Sequence, residues 1–293
     1  MPTTRLDHPD ARLDLTRRDF VRTALGSGFA AAVLPVAAQT IRTDSTGLAV
    51  GEVTILSGDF KMPAYRAMPA GKTAPTKLPV VLVVSEIFGV HEHIADVARR
   101  FAQLGYLAIA PELFVRQGDA KSYGEIGKLV TEVVGKVPDA QVMGDLDACV
   151  AWAHANGGDT ARLGITGFCW GGRITWLYAA QSPAVKAGVA WYGQLVGVPS
   201  ELKPNNPIDI VGQLKAPVLG LYGAQDQGIP LAAVDQMKAA LATGNAAAKA
   251  SQFVVYPGAP HAFHADYRPS YKKDAAQDGW KRCVAWFKAN GVG

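Results

Sequence analysis

The sequence predicts an α/β fold: a mostly parallel central sheet covered by helices on both faces, with an N-terminal β-hairpin leading into it. Three observations predict it. Apolar, β-branched runs alternate with stretches of helical spacing through most of the chain, the pattern of strand–helix–strand units around a parallel sheet. Pro79-Val80-Val81-Leu82-Val83-Val84 is apolar without a break, as suits a strand buried on both sides rather than one with a wet face. The composition, 49% hydrophobic and 18% charged over 293 residues, supports a sizeable core.

In chain order, residues 47–66 alternate apolar and polar side chains around a Ser57-Gly58-Asp59 break, which reads as the hairpin. A Pro/Gly/Lys/Thr-rich connection at 69–77 leads to the strand at 79–84. Residues 91–105 carry Ile94, Val97, Ala98, Phe101 and Leu104 on one helical face, and Gly105 ends the helix. The alternation predicts strands at 106–110, 162–168, 187–192, 217–222 and 252–256, and helices at 124–134, 140–155, 172–181, 231–241 and 271–289. No internal repeat or low-complexity tract interrupts the series.

Residues 1–38 read as a leader. Arg17 and Arg18 precede an apolar run of small residues over 24–38, which resembles a twin-arginine export signal. Val36-Ala37-Ala38 supplies the small side chains that a signal peptidase reads. The expected organisation is therefore a removed leader, 1–38, and a single domain, 39–293. It implies passage through the twin-arginine export machinery in the folded state, to the periplasm or outside. An uncleaved anchor or amphipathic helix is the alternative, and the run is short of the roughly 20 apolar residues a spanning helix needs.

The net charge of +4 is thinly spread, with no basic block and no zinc-finger spacing, which argues against a nucleic-acid partner. Three cysteines, Cys149, Cys169 and Cys283, are too few and scattered for a disulfide framework. No cofactor motif is present, and none is expected to bind. A monomer or small homo-oligomer acting on a small molecule fits this profile.

Gly167-Phe168-Cys169-Trp170-Gly171-Gly172-Arg173 carries the chemistry. It follows an apolar strand and precedes a helical stretch, in the Gly-x-nucleophile-x-Gly pattern of a nucleophile elbow. Glycines two residues to either side let strand and helix pass closely, and the helix N-terminus favours a thiolate at Cys169. Asp226 follows the strand at 217–222, and His261 follows the strand at 252–256. Nucleophile, acid and histidine thus appear in the chain order of α/β-hydrolases, each at a strand's carboxyl end where ligand sites of open α/β sheets lie. Glu86 closes the buried strand, where a carboxylate needs a partner or a function. The N–H groups of Ile87 and Trp170 are the expected oxyanion donors.

Together, Glu86-Ile87-Phe88-Gly89, Ala110-Pro111-Glu112-Leu113-Phe114, the elbow, Gly220-Leu221-Tyr222-Gly223 with Asp226, and His261-Ala262-Phe263 resemble the motifs of the dienelactone hydrolase (carboxymethylenebutenolidase) family over about residues 48–290. The resemblance implies an α/β-hydrolase fold, no metal, and a Cys169–Asp226–His261 triad. Glu86 would accept the cysteine proton when substrate enters, and a lactone or small carboxylic ester would be cleaved through a cysteine acyl-enzyme. Members acting on dienelactone hold its carboxylate with two arginines. Arg116 matches the first, Ala265 stands where the second is expected, and Arg268 is nearby but out of register. Trp191 and Tyr192, ending their strand, are candidates for an aromatic pocket wall.

The remaining candidates are His91-Glu92-His93, read as a solvated helix start rather than a metal pair, and His264, a possible rival to His261. Cys149 and Cys283 read as packing residues on helices. Two other functions compete: a peroxide-responsive thiol protein, which needs a resolving cysteine, and a non-catalytic binding protein on the hydrolase scaffold.

Overall fold

The computed structural model describes residues 41–71 and 77–293; the leader at 1–38 and residues 72–76 of the connection lie outside them. Strands β1 (Leu48–Ser57) and β2 (Phe60–Pro69) form the antiparallel hairpin, turning at Gly58 with φ +58°, a left-handed conformation that glycine adopts without penalty. β2 pairs antiparallel with β4 (Leu107–Pro111), and from there the sheet is parallel. The other strands are β3 (Leu78–Val84), β5 (Gly158–Phe168), β6 (Val185–Trp191), β7 (Val218–Gly223) and β8 (Gln252–Tyr256). Their spatial order is β1-β2-β4-β3-β5-β6-β7-β8. The chain steps from β3 out to β4 and then returns to β5 on the other side, so the order reverses between β3 and β5. Such a switch point opens a crevice at the strands' carboxyl ends.

Val80, Val81, Leu82, Val83 and Val84 have no exposed surface, as their unbroken apolar run required; full burial of such side chains contributes about 1.5–3 kcal/mol each. One face of the sheet carries α1 (Glu92–Gln103) and α7 (Lys273–Ala289), which meet where Phe101 packs on Trp280 and Phe287. The other carries α3 (Asp139–Ala155) and α4 (Trp170–Gln181), joined by the Tyr178 hydroxyl donating to Asp147. α2 (Ile126–Glu132), α5 (Leu231–Thr243) and α6 (Ala246–Ala250) complete the helices described.

Departures from the expected elements have local causes. Leu104 is 47% exposed because it caps α1 instead of continuing its apolar face. β5 begins at Gly158, with register shifts at Pro79/Val80 and Leu163/Gly164 that absorb the extra residues. The helix expected at 124–134 shortens to α2 and a 3-10 turn, Val134–Lys136. The β-branched Val133 and Val134 and then Gly135 weaken its end. No described helix is long and apolar enough to cross a membrane.

Candidate active site

The register of the sheet assembles the site. Val84 pairs with Gly167, and Phe168 with Trp191, so the residues just beyond β3, β5 and β6 emerge side by side. Cys169 donates its N–H to the Trp191 carbonyl and caps α4, with φ 55° and ψ −113°. A Cβ on Gly167 would strike the Gly171 carbonyl, and one on Gly171 would strike the carbonyls of Val84 and Ser85. Those contacts are the steric reason for the motif's glycines.

Among the described residues, the non-glycine positive φ values belong to Cys169 (55°), Tyr192 (38°) and Ala262 (59°). Each such conformation costs about 1–3 kcal/mol and persists only where the surroundings over-determine it. All three lie at Cys169 or next to His261.

The acid and histidine loops are tied to one another before they reach the sulfur. Ala224 and Gln225 donate their N–H groups to the carbonyls of Tyr256 and Ala259. Asp226, 4% exposed, accepts the N–H groups of Gly228 (2.8 Å) and Ile229 (3.1 Å) on Oδ1. Its Oδ2 lies 2.7 Å from Nδ1 of His261. Burial alone would lower the proton affinity of His261. When the Cys169 sulfur is ionised, its negative charge and hydrogen bond, together with the hydrogen bond and charge of Asp226, outweigh it and raise the imidazole to about 10. Sulfur, imidazole and carboxylate therefore form one chain of interactions.

Glu86 is 2% exposed, and its Oε2 lies 3.0 Å from Nε2 of His91. Burial opposes its charge, but the hydrogen bond and charge of His91, with the charges of His93 and Arg268, hold it at about 2. Tyr192, Tyr267 and Arg268 each respond to the charges of both Glu86 and Cys169, which puts carboxylate and sulfur on a common cluster. Glu112, from the Ala110–Phe114 motif, holds the intervening turn. It accepts the Val90 N–H at 3.1 Å and pairs with Lys121 at 2.6 Å, and a Cβ on Gly89 would come 2.6 Å from its Oε2. Ile87 and Trp170 flank this turn and the elbow.

Several expectations change in three dimensions. Arg116 is engaged by other groups: Nη1 and Nη2 lie 2.5 and 2.7 Å from the Asp145 carboxylate, and the guanidinium covers Phe60. It braces the hairpin against α3. Trp191 is wholly buried, donates to Thr166 Oγ1 at 3.1 Å, and packs against α7 at Gly279; it is core, not pocket wall. Tyr192 does face the site, its ring 5.1 Å from that of His261. Its buried hydroxyl has no hydrogen-bond partner, and burial with the charges of Glu86, Tyr267 and Cys169 keeps it a neutral phenol.

His91 and His93 are not a solvated helix start. Their rings stack 6.2 Å apart; His91 takes Glu86, and the buried His93 takes Asp266 at 3.0 Å. No cluster able to hold a metal ion occurs among the described residues. His264 is buried against Phe168 and Trp191. Burial, with the charges of His93 and Arg100, drives its proton affinity well down, so it is unsuited to the role of base.

Arg268, out of register in the sequence, arrives at the site. It is 6% exposed, lies 4.7 Å above the Phe88 ring and 5.1 Å from that of Tyr267, and its Nε has no hydrogen-bond partner. Among the described residues no carboxylate forms an ion pair with it. Burial works against its charge, but Tyr267 and Glu86 keep it a cation. Its place after the histidine was the available sequence signal; the distance in residues concealed it.

The model of the dienelactone hydrolase family matches residues 62–291. A Methylorubrum extorquens protein provisionally named carboxymethylenebutenolidase is 63% identical over 284 residues, covering 96% of each chain. An Escherichia coli protein with the same provisional name is 54% identical over 265 residues, covering 90% of this chain and 96% of its own. The crystal structure of a provisionally named dienelactone hydrolase from Klebsiella pneumoniae superposes with a TM-score of 0.79 at 58% identity, covering 82% of this chain and 98% of that one.

Proposed function

The chain belongs to the dienelactone hydrolase family and is a hydrolase of that kind, and from that premise we propose that it cleaves a lactone or small carboxylic ester through an acyl-enzyme on Cys169. The observation that carries this reading is the 2.7 Å Asp226–His261 pair reaching the sulfur of a cysteine held in a strained elbow.

In the proposed cycle the Cys169 thiol gives up its proton to Glu86 as substrate enters, and Sγ bonds to the carbonyl carbon. Charge collects on the carbonyl oxygen between the N–H groups of Ile87 and Trp170, at the N-terminus of α4. The intermediate collapses, the alkoxide or enolate departs with the proton that Glu86 took up, and a thioester remains. His261, oriented by Asp226, takes a proton from water; the resulting hydroxide attacks the thioester carbonyl, the C–S bond breaks to release the acid, and the Cys169 thiolate takes the proton back from His261. Hydrolysis of p-nitrophenyl acetate and a lactone panel by wild type and Cys169→Ala tests the reading. Loss of turnover in the folded variant supports it, and wild-type turnover in the variant refutes it.

Arg268 narrows the substrate class. A nearly buried cation that forms no ion pair with a carboxylate among the described residues, beside the oxyanion turn, favours a substrate that brings its own carboxylate. Arg268→Leu is then expected to raise KM for an acidic lactone while leaving KM for neutral p-nitrophenyl acetate within about twofold.

A thiol redox role has less support. Cys149 and Cys283 are free and fully buried, and burial pushes both thiols up in pKa, which disfavours either as a resolving thiolate. The twin-arginine leader makes the periplasm or the exterior the proposed destination. The N-terminal mass of exported protein tests both export and cleavage after Ala38.

A further inference from the structure

Resting on the reading of Arg268 as the site of a substrate carboxylate, we propose that Asp266 is a positioning residue: anchored to α1 and to residues 41–43, it fixes the loop after β8 so that Arg268 stands at the site. Asp266 belongs to none of the motifs read from the sequence and takes no part in the proposed cycle.

Two other parts of the chain converge on this carboxylate, which is 5% exposed. From α1, Nδ1 of His93 lies 3.0 Å from Oδ1, and Nη2 of Arg100 donates to Oδ2 at 3.1 Å. From the start of the described chain, the Ile41 N–H donates to the same Oδ2 at 3.2 Å. A buried carboxylate is costly unless it is paired and hydrogen-bonded, and both oxygens of Asp266 are. Burial opposes its charge, but the hydrogen bond and charge of His93, the charge of Arg100 and the Ile41 N–H hold it below the usual carboxylate range.

Arg100 carries the connection further. Its Nε donates to Asp96 at 2.6 Å, and the wholly buried Asp96 also accepts the Thr43 N–H. Arg42 pairs with Glu92 at 3.3 Å, and the Gln103 amide donates to the Asp44 carbonyl at 2.9 Å. Residues 41–44 therefore run along α1 as a strap, starting just after the proposed cleavage point at Ala38. Two of its backbone N–H groups are directed at buried carboxylates, one of which belongs to the loop that carries Arg268.

The loop has two separate tethers. On the His261 side, the Gln225 N–H donates to the Ala259 carbonyl and Asp226 holds the imidazole at 2.7 Å. On the Arg268 side, Asp266 makes the attachment to α1. Close turns link it to Arg268: the Ala265 N–H donates to the Ala262 carbonyl and the Arg268 N–H to the Ala265 carbonyl, both at 3.0 Å. A displacement at Asp266 is therefore passed on to Arg268. The guanidinium forms no ion pair with a carboxylate among the described residues, and it rests on the rings of Phe88 at 4.7 Å and Tyr267 at 5.1 Å. Tyr267 belongs to the same loop, so that support moves with it.

The test is amide hydrogen exchange in the full chain, read peptide by peptide with no substrate present. Asp266→Ala removes hydrogen bonds to a charged group, so residues 262–272 are expected to exchange ~10-fold faster than in wild type while residues 223–229 stay within about twofold. The functional readout is kcat/KM for an acidic lactone relative to that for p-nitrophenyl acetate. This ratio is expected to fall ~10-fold in Asp266→Ala and in Arg268→Leu, with no further loss in the double variant, because both changes act through one guanidinium. Unchanged exchange at 262–272, or equal acceleration at 223–229, overturns the proposal. So does a ratio that Arg268→Leu lowers and Asp266→Ala does not, or a double variant that loses more than Arg268→Leu alone. If Asp266→Ala does not fold, Ile41→Pro deletes one N–H at the exposed end of the strap and must still quicken 262–272 by ~3-fold. Faster exchange at 262–272 with no change of ratio in Arg268→Leu would refute the reading of Arg268 and leave the anchor standing.

Discussion

Asp226→Asn is the most informative single change in the proposed triad. The wild-type carboxylate is divided: Oδ1 accepts the N–H groups of Gly228 and Ile229, and Oδ2 accepts His261. An asparagine there keeps its shape but has one acceptor. The two backbone donors hold that oxygen, which turns the amide NH2 toward Nδ1 of His261. The imidazole must then carry its proton on Nε2, the wrong tautomer for accepting one. The electrostatic loss adds to this. The hydrogen bond and charge of Asp226, with those of Cys169, raise the proton affinity of His261 against burial, and the amide withdraws the Asp226 share. We therefore expect kcat for p-nitrophenyl acetate to fall ~100- to 1,000-fold, with KM little changed. Thermal unfolding should show a folded variant. Retention of kcat within about threefold of wild type, in folded protein, would refute the assignment of Asp226 as the orienting acid.

The other predictions separate structure from chemistry. Trp191→Phe loses the hydrogen bond to Thr166 and core volume, so it should destabilise by ~1–3 kcal/mol in urea unfolding while KM stays unchanged. Arg116→Ala strands the buried Asp145 carboxylate and should cost ~2–4 kcal/mol in the same assay, again without a KM effect on acidic lactones. Gly171→Ala sets a Cβ against the carbonyls of Val84 and Ser85, and should yield little soluble, active protein. The pH dependence of stability has a fixed sign at both ends. Glu86, depressed to about 2, contributes above its ordinary 4.5 and loses that contribution as pH falls toward 2. His261, raised to about 10, contributes below 6.5 and loses it as pH rises through 10. Glu86→Gln and His261→Gln should each flatten the corresponding limb of the melting profile.

What was legible in the sequence was local or ordered along the chain. The elbow announces itself because close strand–helix passage forces glycines at fixed spacing, and the acid and histidine sit where β7 and β8 end. Trp191 and Tyr192 show where alternation was underused. Neighbours on a strand point to opposite faces, so at most one of the pair could face the pocket. Trp191 belongs to the core, while Tyr192, just past β6 with its positive φ, swings toward His261. Arg116 looked correct by motif, yet Asp145, 29 residues on, claims it. The roles of His91, His93 and Arg268 depend on the 261–271 loop folding back over the start of α1, seen in the His93–Asp266 and His91–Tyr267 contacts. Pairings 173 and 176 residues apart leave no trace in local spacing.

The central claim is a covalent bond between substrate and Cys169. Intact-mass spectrometry of the His261→Ala protein mixed with p-nitrophenyl acetate tests it most directly, since acylation can proceed through Glu86 while release is slowed. The account predicts one acetyl group per chain, located on the peptide containing Cys169 and absent from Cys169→Ala. An adduct on another residue, or ester turnover by Cys169→Ala at the wild-type rate, would contradict it.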